Sequence, residues 1–136
     1  MDYSPEPGEA TLQYFKRTRQ FCCVILVAWN ETEYHIGQSY AKAHGLFHED
    51  EEAQILLEKN SFKKQIDFLK KKSVITEDEY DTFDKFRKYR NKLYHGEEWA
   101  FFILNKIEMD KIMDESVEAA QLAQDIGLRV PMAKRI

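Results

Sequence analysis

The chain of 136 residues is short of the residues that punctuate β-structure, with five glycines and three prolines. An all-β domain turns every few residues, so this scarcity disfavours one. Only two cysteines occur, Cys22 and Cys23, and they are adjacent. Neighbours on a helix point about 100° apart and are poorly placed to pair. No Cys-based metal site or intramolecular disulfide framework is therefore available. Both cysteines are expected to be core residues of a protein in a reducing cytoplasm. Long apolar runs are also lacking. The longest, "FCCVILVAW", covers nine residues from Phe21 to Trp29, whereas a membrane span needs about 20. The opening "MDYSPEPGE" is acidic and polar and carries no signal-peptide pattern. No membrane association is expected.

What is present fits one packed domain. Hydrophobic residues make up 43% and charged residues 32% of the chain, enough of each for a core and a solvated surface at this length. The net charge of −4 hides an asymmetry. Residues 63–92 hold ten Lys/Arg against six Asp/Glu, while the rest hold ten against eighteen. An acidic protein with one basic stretch is no general nucleic-acid binder. That stretch is a candidate for holding a phosphate backbone, or simply a solvated face of alternating charge.

Apolar spacing predicts helices throughout. Residues 1–8 read as a flexible tail, residues 9–127 as one helical domain, and 128–136 as a C-terminal tail. A long first helix is expected from about Glu9 to His44, with a bend near Asn30 or Gly37 and a stop at Gly45. A second covers about 49–60, with acids in its first turn. Ser61 caps a third, on which Phe62, Ile66 and Leu69 share a face. "TEDE" is a capping box, Thr76 as N-cap and Glu79 three residues on, opening a fourth helix that runs to Tyr94 or His95. "GEEWAFF" reads as a loop, and a last helix spans about Met109–Ile126, ended by Gly127. The fold expected is all-α, an antiparallel bundle of four or five helices with one long N-terminal helix.

The fourth helix contains an anomaly. With Phe86 at the centre of its apolar sector, Phe83, Tyr89, Leu93 and Glu79 fall within about 60°, and Arg90 falls at about 40°. A buried guanidinium needs a partner. Three explanations stay open: pairing or capping within the chain, a subunit interface, or a cleft for an anion. Asn91 and His95 share another face of the helix, four residues apart. A histidine in a last helical turn also interacts well with the helix dipole.

"RNKLYHG", Arg90 to Gly96, resembles the signature of the HEPN superfamily (higher eukaryotes and prokaryotes nucleotide-binding domain): Arg, a polar residue that is often Asn, and His after four to six residues. The approach is similar too. A basic amphipathic helix, "SFKKQIDFLKKKSVI", and an acidic cap, "TEDEYDTF", lead into "FRKYRNKLYHG", so the resemblance covers about residues 58–97. It implies an all-α domain and a metal-independent endoribonuclease, often a toxin or antiviral or stress effector, acting as a homodimer whose motifs line one cleft. Arg90 would hold the charge on the phosphoryl oxygens, His95 would be the acid or base, and Asn91 would orient the His or the phosphate. No cofactor is implied, because the RNA 2′-OH is the nucleophile. Arg90 and His95 point about 140° apart on a regular helix. They meet if the helix loosens near Gly96 or, the expected case, if one acts across the dimer.

The chain departs from the branch of the superfamily that carries Arg-x4-His-x-Tyr, since position 97 is Glu, so modification of that tyrosine is not implied. Lys63, Lys64, Lys71, Arg87, Lys88 and Lys92 are candidate RNA-backbone contacts, as are Lys70 and Lys72. Trp99, Phe101 and Phe102 are candidates for stacking on bases or for core packing. Two other readings compete. One is a non-catalytic HEPN domain that binds nucleotide, RNA or a partner protein, such as an antitoxin or nuclease subunit. The other is a helical interaction protein in which the motif is chance.

Overall fold

The Gly45 stop, the Ser61 cap and the Thr76 capping box all form. The computed structural model describes residues 7–8, 21–94 and 106–132. Among them are five helices and no strand: α1, Phe21–Ala43; α2, Glu51–Lys59; α3, Phe62–Lys71; α4, Glu77–Tyr94; and α5, Lys106–Arg129. The expected helical segment 9–20, most of the N-terminal tail and the last four residues lie outside the described residues.

α1 is continuous through Asn30 and Gly37. It ends where Gly45 enters the left-handed region, φ 73°. The N–H groups of Gly45 and Leu46 then return to the carbonyls of Lys42 and Ala41, at 3.0 and 2.9 Å. That is a Schellman ending, which glycine permits at no steric cost. The Ser61 hydroxyl accepts from the Lys64 N–H at the start of α3. At α4, Thr76 N–H donates to Glu79 Oε1 at 2.9 Å and Glu79 N–H donates to Thr76 Oγ1 at 3.2 Å.

The most extensive packing joins α1 and α5. On α5, buried Ile112, Ser116, Ala119, Ala123 and Ile126 recur every three or four residues, and Val130 just past its end keeps the spacing. On α1, Phe21, Ile25, Ala28, Thr32, Ile36 and Ser39 do the same. Each row forms the apolar stripe of a helix packed along its length. Ser39 and Lys42, late in α1, meet Gly127, late in α5, so these two helices run in the same direction. α4 runs opposite to α5, because Lys85 pairs with Glu115 and Glu79 with Arg129. α3 runs opposite to α4, because Lys70 pairs with Glu77 and Lys63 meets Tyr80. The aromatic centre is Trp29, with Phe62 at 4.6 Å and Phe86 at 5.5 Å, both edge-on.

Two expectations need correction. Cys22 is exposed and Cys23 half-buried. The core stripe of α1 passes through Phe21, Val24, Ile25 and Ala28, and the cysteines fall beside it in helical phase. Gly127 does not end the last helix, which continues to Arg129, and Val130 is buried in the core. The missing side chain at Gly127 instead faces Ser39 of α1. A glycine in a helix is as compatible with close packing as with a stop.

Candidate functional site at the end of the fourth helix

α4 presents Phe83 and Phe86 to the core at 0% and 3% exposure. One turn beyond Phe86, Arg90 is half-buried and its guanidinium carbon lies 5.2 Å from the centre of the Trp29 ring. Trp29 is itself 4% exposed. Its indole N–H donates to Glu33 Oε2 at 3.1 Å, one turn along α1. The cation in the apolar sector therefore rests on an aromatic face of the first helix. The ring quadrupole offsets part of its desolvation. A guanidinium held over a ring keeps N–H groups able to donate elsewhere. Arg90 donates at 3.2 Å to the side-chain oxygen of Asn91. Two of the three motif residues are thus linked. His95, the third, lies outside the described residues, as do Gly96, Glu97, Trp99, Phe101 and Phe102.

The basic candidates divide into two sets. Arg87 donates from Nε and Nη2 to Asp84 Oδ1 at 3.0 and 2.9 Å, and Lys88 lies 3.3 Å from the other oxygen of Asp84. Burial raises the Asp84 pKa, but the hydrogen bonds and charges of Arg87 and Lys88 outweigh it, and the net shift is downward. Lys63 pairs with Asp67 at 2.9 Å and with the Tyr80 hydroxyl, which donates to Asp67 at 2.6 Å. These bonds push the Lys63 pKa up and the Asp67 pKa down. Lys70 is tied to Glu77 at 2.8 Å, and Lys72 sits 5.8 Å over the Phe68 ring. Lys64, Lys71 and Lys92 are exposed and make no ion pair among the described residues.

The α3–α4 surface therefore has fewer uncommitted cations than its composition implies. Part of the basic stretch is neutralised by its own acids, by Asp67 and Asp84 at helical spacing and by Glu77 across two helices. Asp84 stands three and four residues before Arg87 and Lys88, a spacing that foreshadows this pairing in the sequence. Trp29 was not foreshadowed as a partner of Arg90. It sits in an apolar run, and only the crossing of α1 and α4 gives it that role.

Among the described residues no helix is long and apolar enough to cross a membrane. No family model, curated protein or solved structure matches the chain.

Proposed function

We propose that the chain is a metal-independent endoribonuclease of the HEPN kind, acting as a homodimer, in the class of toxins and antiviral or stress effectors. The observation that supports this reading most is the arrangement at Arg90. Its guanidinium is fixed over Trp29 and hydrogen-bonded to Asn91, at the start of the Arg-Asn-x3-His stretch. A guanidinium held in one orientation loses little freedom when it takes up a phosphate, and it suits the charge that builds on the phosphoryl oxygens. In the reaction the 2′-OH attacks the adjacent phosphorus and the bond to the 5′ oxygen breaks. The 2′-OH proton passes to a base and the leaving oxygen receives one from an acid. His95 is assigned to this proton transfer, since imidazole exchanges protons near neutral pH. The products are a 2′,3′-cyclic phosphate and a 5′-OH. Lys64, Lys71 and Lys92 supply backbone contacts in this reading.

A second reading has its own support. Lys63, Arg87 and Lys88 are engaged by Asp67, Tyr80 and Asp84 within the chain. That favours an accessory domain of the same kind, which binds RNA or nucleotide weakly or docks an antitoxin or nuclease subunit.

Purified protein incubated with a mixed tRNA and mRNA pool in EDTA separates the two, beside His95→Ala and Arg90→Ala. Cleavage by the wild type alone, leaving cyclic-phosphate ends, is the expected result. Failure of the wild type to cleave overturns the nuclease. Salt-dependent RNA retention in its place would establish the accessory reading.

A further inference from the structure

At the end of the bundle where α1 and α5 meet, a cavity of about 440 Å³ opens between these helices and the segment after α1. Its volume is in the range of small-molecule sites. Its lining is two-sided. Phe47, Leu128 and Met132 are 64%, 84% and 39% exposed and form its apolar wall. Three of the seven large hydrophobic residues left exposed among the described residues thus converge on one cavity. Exposed apolar side chains gathered in this way mark a binding surface more often than scattered ones do.

The other side is polar and carries a cation. Lys42 lines it, contacts the Gly127 carbonyl at 3.4 Å and makes no ion pair among the described residues. Ser39 lines it as well, at 1% exposure. Among the described residues three serine or threonine side chains are buried on α1 and α5. Thr32 and Ser116 each donate to the carbonyl one turn earlier, at 2.7 Å. Ser39 Oγ makes no such bond and has no partner among the described residues. An unpaired buried hydroxyl costs free energy, and it can turn between staggered positions to meet an acceptor. His35 and His48 also border the cavity, and Glu49 is the one acid among the described residues that line it.

We infer that this cavity binds a small amphiphilic organic anion, its carboxylate on Lys42 and Ser39 and its hydrocarbon body against Phe47, Leu128 and Met132. The cation and the unpaired donor ask for an anionic acceptor, and the wall asks for apolar surface. Neither half alone suits a fully polar or fully apolar ligand. This site is separate from the Arg90 region and does not depend on the ribonuclease reading.

Octanoate is the probe, with 1-octanol and acetate as controls, followed by amide chemical shifts of the full chain. The expected result is saturable octanoate binding with shifts at Ser39, Lys42 and Leu128, octanol weaker and acetate silent. Lys42→Met should weaken octanoate about tenfold and leave octanol unchanged, since a charge-assisted hydrogen bond is lost. Leu128→Ser, at an exposed position, should weaken both. Absence of octanoate binding, equal affinity for octanol, or unchanged octanoate affinity in Lys42→Met would each overturn the inference.

Discussion

Arg90 and Trp29 form a cation–π pair across two helices, the guanidinium carbon 5.2 Å from the ring centre. The pair joins the C-terminal half of α4 to the middle of α1. Stacking of this kind contributes about 0.5–2 kcal/mol. Arg90→Ala should therefore lower stability by about 1 kcal/mol and remain folded, and Arg90→Lys should fall between the two because it keeps the charge without the plane. Urea denaturation checks this. A folded Arg90→Ala also makes loss of RNA cleavage interpretable as lost chemistry. Unchanged stability would mean that the stacking is energetically idle.

Ser73 adopts a left-handed conformation, φ 61°, at the end of α3. Its N–H and that of Val74 return to the carbonyls of Lys70 and Leu69, at 3.0 and 2.9 Å. This is the same Schellman ending that Gly45 makes after α1, built on a residue with a side chain. Ser73→Gly should raise stability by about 0.5–1 kcal/mol, after the extra freedom of glycine in the unfolded chain is deducted. Thermal unfolding reads the sign directly.

Gly127 lies inside α5, and a Cβ placed there would meet Ser39 Oγ at 3.7 Å, an ordinary contact. The helix gains from alanine and the interface has room for it. Gly127→Ala should stabilise the protein by about 0.5–1 kcal/mol. A loss of stability in denaturant titration would show that α1 and α5 approach too closely for any side chain at this point.

Asp84 holds Arg87 and Lys88 together, and its carboxyl is shifted below its ordinary pKa although burial opposes the shift. A native pKa below the unfolded value means that the unfolded chain binds the proton first as pH falls. The stabilisation is complete above the ordinary carboxylate value of about 4 and is lost as pH falls through the lowered native one. Asp84→Asn should flatten the dependence of Tm on pH below about pH 5 relative to the wild type. An unchanged slope would assign acid sensitivity to other carboxylates, with Asp67 and Glu79, both also shifted downward, next in order.

Local signals carried much of the fold. The Thr76–Glu79 box, the Ser61 cap and the Gly45 ending act within a few residues, so their chemistry is readable from residue type and spacing, and each forms in the structure. The all-helical class followed from apolar periodicity and the scarcity of glycine and proline. The placement of Arg90 in an apolar sector was also legible, because helical phase is a local property. The partner of that arginine was not, since Trp29 stands 61 residues away in sequence and meets it only through the crossing of α1 and α4. The exposure of Cys22, the continuation of α5 past Gly127 and the parallel run of α1 and α5 were decided in the same way. Hydrophobicity and helix propensity state which residues seek burial. Which of them obtain it, and against what, depends on how the stripes of separate helices interlock, and that is settled only when the whole core packs.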